Sequence, residues 1–102
     1  MVRLHFKSMQ FYYVYVLKSL HKDFLYVGFT TDLQKRFREH NNGLVFSTKL
    51  KKPHKIIHYE AFLNKKDAFM REKWLKTGWG RNQTRTMLAN YLGMYPPKLS
   101  NR

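Results

Sequence analysis

Three side chains able to carry a charge or a proton fall where the apolar pattern of the chain points inward. Arg36 and His40 stand one helical turn apart, and His40 shares a stripe with Leu33 and Phe37 while Arg36 borders it. Glu72 lies in the middle of a second stripe, made by Ala68, Phe69 and Leu75. A carboxylate aimed into a core costs about 1–3 kcal/mol or more unless it is paired or binds a cation. Glu72 is therefore expected to face Arg36, a metal ion, or both. His40, with an ordinary pKa of about 6.5, either takes part in chemistry or packs as a helix-end residue.

The elements that must position these groups can be read from periodicity. Residues 11–17 are aromatic or β-branched almost throughout, as in a largely buried strand, with Phe11, Tyr13, Tyr15 and Leu17 on one face and Tyr12, Val14 and Val16 on the other. A short polar connection leads to a second strand over residues 24–29, and the pair reads as an antiparallel hairpin. Gly28, within or at the end of that strand, is assigned a structural role, because an absent side chain there marks a bulge or a close backbone approach. Thr30, Thr31 and Asp32 signal the start of a helix that carries Arg36 and His40 and stops at Asn42 and Gly43. After a basic loop, residues 54–62 alternate as a third strand. Asn64 and Asp67 then have capping-box spacing before a helix that bears Glu72 and runs to about Lys76. Gly78, Trp79 and Gly80 are expected to break that helix, and residues 81–92 to form a third with Met87, Leu88 and Tyr91 inward. The expected fold class is α+β, a three-stranded antiparallel sheet flanked by helices in the order β-β-α-β-α(-α). The expected domain spans residues 11–92, between tails at 1–10 and 93–102.

With 20 Lys and Arg against 6 Asp and Glu, the 102-residue chain carries a formal charge of +14, which is tolerated most readily where a polyanion neutralises it. DNA is the leading partner and RNA the second. A membrane is disfavoured, since the basic residues are spread along the chain and no stretch is long enough to span a bilayer. Lys35 and the loop lysines Lys49, Lys51 and Lys52 are the candidate phosphate contacts. The absence of cysteine excludes disulfides, Cys-ligated zinc and thiol catalysis. Residues 1–10 lack the apolar core of a signal peptide, so the expected location is cytoplasmic.

Tyr13-Val14-Tyr15, ten residues, Tyr26-Val27-Gly28, then the helix with Arg36 and His40 resemble the signature of the GIY-YIG nuclease superfamily, in the form of its small stand-alone members. The run from Arg71 to Lys76, followed by Gly78-Trp79-Gly80-Arg81, resembles the same group. The resemblance implies an active site on one sheet face. Tyr15 and Tyr26 match the two motif tyrosines, Arg36 the family arginine, Glu72 the metal-ligating glutamate, and His40 a position held by His or Tyr. It also implies an endonuclease that hydrolyses phosphodiester bonds in DNA with Mg²⁺ or Mn²⁺, structure-selective and linked to repair or recombination. Tyr15 or His40 would be the base that activates water, and Tyr26 would position water or phosphate. The alternative is a non-catalytic nucleic-acid-binding module on the same fold. The sequence departs from the pattern at Tyr13, where many members have Gly, and at Phe29, where some carry a lysine. Asn82 and Asn90 are the candidates for the family's asparagine.

Overall fold

The computed structural model describes residues 5–94; most of the expected tails at 1–10 and 93–102 lies at its edges or outside it. The elements are β1 (Tyr12–Ser19), β2 (Leu25–Thr30), α1 (Leu33–Asn41), β3 (His54–Phe62), α2 (Lys65–Leu75), α3 (Gly78–Met87) and α4 (Ala89–Leu92), with short 3-10 turns at Phe6–Ser8 and Lys49–Lys51. The strands form one antiparallel sheet in the order β2-β1-β3, with the short first connection joining β1 and β2 as the expected hairpin. The α+β class and the element order read from sequence are thus borne out. Among the described residues no helix is long and apolar enough to cross a membrane.

The central strand is covered on both faces, and Val14, Tyr15, Val16 and Leu17 are all buried. On one face Val14 packs with Ala68 and Leu75 of α2, joined by Tyr12, Val27, Phe29 and Phe62. Glu60, opposite Val14 in the ladder, takes a two-pronged bond from Arg71 of α2 (Nε to Oε1 2.9 Å, Nη2 to Oε2 3.1 Å). His58 Nε2 reaches the same carboxylate at 3.0 Å. Although burial works against it, these two partners hold the Glu60 carboxyl below its ordinary range. The opposite face carries Tyr15 and is covered by α1 and the loop behind it, through His40 and Thr48.

Several expectations about the helices are corrected. Gly78, Trp79 and Gly80 form the first turn of α3, because the Thr77 hydroxyl accepts from the Gly80 N–H at 3.1 Å and caps it. Gly80 is there for closeness: a Cβ on it would stand 2.2 Å from the Trp74 carbonyl oxygen at the end of α2. The expected helix over residues 81–92 is two helices, α3 and α4. Their buried residues are Gly80, Thr84 and Ala89, whereas Met87 and Tyr91, expected inward, are exposed. Phe69 likewise lies outside the α2 stripe, and Ala68 and Leu75 alone are buried there.

Candidate active site

β1 brings Tyr15 to the middle of the sheet, between Gly28 of β2 and Tyr59 of β3. Its ring crosses Gly28 so closely that a Cβ there would stand 2.3 Å from both Cζ and the hydroxyl oxygen. No side chain can occupy that position, which is the physical reason for glycine in the second motif.

α1 begins where the Asp32 carboxylate accepts from the Lys35 N–H at 3.1 Å, and the chain leaves it through Gly43 at φ +75°. With both ends fixed, the last turn sets His40 over Tyr15. The Tyr15 hydroxyl is 2.7 Å from His40 Nε2, and His40 Nδ1 is 2.7 Å from the Thr48 hydroxyl, all three groups being buried. Behind them, the Thr48 carbonyl accepts from His54 Nε2 at 3.0 Å. That leaves His54 Nδ1 buried with no partner among the described residues. Burial, aided by the Arg36 and His54 charges, lowers the His40 pKa to about 4. At neutral pH the imidazole therefore accepts through one nitrogen and donates through the other. Burial also pushes Tyr15 up to about 12; Arg36 pulls it down, while Tyr26 and Glu72 push it up.

The structure brings all five expected residues into one cluster. The Tyr26 ring lies 6.4 Å from that of Tyr15 and 5.2 Å from His40. The charges of Arg36 and Glu72 both act on the Tyr15 hydroxyl. The pairing between the last two differs from expectation. Arg36 donates to Glu39 on its own helix at 2.9 Å, and Glu72 is neutralised by Lys76 Nζ at 2.9 Å, one turn along α2. The Glu72 side chain is 14% exposed and that of Lys76 44%. Lys76 Nζ also sits 5.7 Å from the centre of the Tyr26 ring. Among the described residues no group of three His, Cys, Asp or Glu side chains could hold an ion as a closed cage. Of the candidate phosphate contacts, Lys35 is exposed on α1, Lys49 lies over the Phe46 ring at 5.3 Å, Lys51 over Phe24 at 4.6 Å, and Lys52 is exposed beside them.

Residues 11–85, about three quarters of the chain, match the family model described as the GIY-YIG catalytic domain. The chain belongs to the GIY-YIG family. Curated relatives of this GIY-YIG chain include a UPF0213 protein of Clostridium perfringens, 38% identical over 79 residues, 76% of this chain and 83% of that one. The UPF0213 protein YsiG of Lactococcus lactis is 39% identical over 82 residues, 79% and 78% of the two chains. No solved structure shows significant similarity. GIY-YIG domains are nuclease domains that generally use divalent metal ions, so nucleic acid is the substrate class.

Within this GIY-YIG domain the sequence reading missed Thr48 and Lys76. Thr48 sits in a loop with no periodicity, and only the return of the chain from α1 to β3 brings it to His40. Lys76 had a signal, the four-residue spacing from Glu72 that suits an ion pair on a helix. Phe29, at the position where some GIY-YIG members carry a lysine, points to the other sheet face and stacks on Tyr12 at 6.3 Å. The cation beside Tyr26 comes instead from α2. His54, the first residue of β3, is 3% exposed and buttresses the loop carrying Thr48.

Proposed function

We propose that this chain is a metal-dependent endonuclease acting on DNA. The observation that carries the proposal is the buried chain of hydrogen bonds from Tyr15 through His40 to Thr48. Tyr15, with a pKa of about 12, is no phenolate at neutral pH, so it cannot serve as a base by itself. It can pass its proton to His40 Nε2 while its oxygen takes one from an attacking water. His40 rests neutral, and with Nδ1 donating to Thr48 its Nε2 is the nitrogen open to that proton. Arg36 donates to non-bridging phosphate oxygens as charge builds on them. Tyr26 orients the water or the phosphate from the β2 side of the cluster.

The donor set fits Mg²⁺ or Mn²⁺. Glu72 supplies one largely buried carboxylate that already faces a cation, and Mg²⁺ is commonly held by one or two carboxylates with waters and phosphate oxygens. Glu72 would hold the ion once Lys76 yields its place. The chemistry supplied by a bound ion is charge neutralisation at the phosphoryl and leaving 3′ oxygens. Lys35, Lys49, Lys51 and Lys52 hold the phosphate backbone on either side. A role in repair or recombination, in the cytoplasm, is the accompanying assignment.

The alternative, a binding module without turnover, is favoured by one observation: Lys76 already occupies Glu72. Incubation with supercoiled plasmid, branched DNA and single-stranded DNA, with Mg²⁺ or Mn²⁺ against EDTA, separates the two. The nuclease cuts with metal, and Arg36→Ala or Glu72→Ala lowers the rate by about 10²-fold or more. Salt-sensitive binding with no cutting of any substrate establishes the module.

A further inference from the structure

A cavity of about 330 Å³ that includes Tyr26 in its lining lies between β2 and α3. Leu25, Val27 and Leu75 give it apolar lining, and Phe24 and Tyr26 add two aromatic side chains. Lys76, Arg81 and Arg85 also line it, and among the described residues no carboxylate does. Lys76 is paired with Glu72, whereas the two arginines are largely free to take a ligand. Arg81 uses only Nε, on the Lys76 carbonyl at 3.2 Å, and Arg85 has a distant partner in the exposed Asp23, 3.8 Å away. A partly apolar cavity with aromatic side chains in its lining suits a base, and the cationic lining suits the phosphates joined to it.

We propose that this cavity holds the base of an unpaired nucleotide of a DNA strand whose adjoining phosphate lies against Tyr26 and Lys76. Tyr26 forms a wall of both the cavity and the catalytic cluster, so one strand can occupy the two at once. A base stacked and paired within a duplex cannot enter such a slot without being extruded, and a base already unpaired enters at the least cost. Single-stranded segments, flaps and loops therefore bind in preference to continuous duplex. The mouth favours the same ligand. Ser47 lines the cavity, and its neighbour Phe46 is 85% exposed with Lys49 Nζ 5.3 Å from its ring centre, an aromatic surface with a cation beside it on which an unpaired base can stack. The preference in cutting rests on the nuclease reading; the preference in binding does not.

The test is run on Glu72→Ala protein in EDTA, so that binding is read without turnover. A short single strand carries 2-aminopurine at one position at a time, and its fluorescence is followed on titration with protein. One position is expected to respond far more than its neighbours, and single strand to bind about tenfold or more tightly than duplex of the same sequence. Ser47→Trp, which fills the slot from its mouth, is expected to remove the response and bring the affinity ratio close to one. Arg81→Ala with Arg85→Ala, both on the surface of α3, serves as the second variant and is expected to weaken single-strand binding more than duplex binding. A uniform 2-aminopurine response, or an unchanged ratio in folded Ser47→Trp and in the arginine pair, overturns the proposal. A parent protein that cuts nothing yet gives the position-specific signal keeps the cavity and loses the nuclease. One that cuts duplex and single strand alike, with no position-specific signal, keeps the nuclease and loses the cavity.

Discussion

Hydrogen bonds join Tyr15, His40 and Thr48 in a line, and in the proposed mechanism the His40 pKa decides the conditions under which that line can take up a proton. With that pKa lowered to about 4 by burial and by the nearby Arg36 and His54 charges, Nε2 is free to accept across the neutral and mildly acid range. The rate of cleavage should thus stay level as the pH falls through 6.5 and decline only toward 4; a break near 6.5 in a pH–rate profile would show His40 to be solvated. The same shift affects stability. Between pH 6.5 and 4 the unfolded chain binds a proton at this site and the folded chain does not, so stability is lost as the pH falls through that window, by about 3 kcal/mol at 1.36 kcal/mol per pKa unit. At Gly28 the constraint is steric. Gly28→Ala places a methyl group 2.3 Å from the Tyr15 hydroxyl, and the ring must move off His40. A loss of about 1–3 kcal/mol in urea unfolding, together with loss of cleavage, is expected.

At the scale of elements, α2 is held to the sheet by two unlike contacts, the packing of Ala68 and Leu75 on Val14 and the Arg71–Glu60–His58 cluster on β3. Because the Glu60 carboxyl is held below its ordinary range, its contribution is complete above about pH 4.5 and disappears as the pH falls through the folded value. Glu60→Gln should cost about 1–3 kcal/mol at neutral pH, and the gap between variant and parent in urea melts should close in strong acid. An equal gap at both pH values would assign the effect to packing. This cluster was not legible in the sequence, since nothing local says that Arg71 and Glu60 meet across a helix–strand contact. What was legible was whatever repeats within one element. The alternation over residues 54–62 matches β3 to the residue, and the Asp32 and Asn64 caps sit where their side chains announced them. β1 runs on through Lys18 and Ser19, two polar residues that look like loop. The Ser19 hydroxyl is held by bonds to the Lys51 carbonyl and the His21 and Lys22 N–H groups, which periodicity cannot express.

Across the whole molecule, the charge of +14 makes attraction to a polyanion a property of the entire surface. Binding of duplex or single-stranded DNA should weaken linearly in a log–log plot against salt. Lys35→Ala and Lys49→Ala should each lower the slope by about one while leaving sequence preference alone; a slope unchanged by either would remove those lysines from the interface. The five residues of the cluster come from four elements, β1, β2, α1 and α2, and the sequence could name them only because each lies at a marked place in its own element. Lys76 and Thr48 escaped because their roles exist only after assembly. The contact between Tyr15 and Gly28 reaches further than the site it serves. A hairpin slipped by two residues keeps every side chain on its proper face, so the apolar pattern alone cannot reject it. Such a slip would set Tyr26 or Thr30 opposite Tyr15 in place of the glycine, and the ring would have nowhere to lie. The bare backbone at Gly28 is a notch that only one alignment of the first two strands can fill.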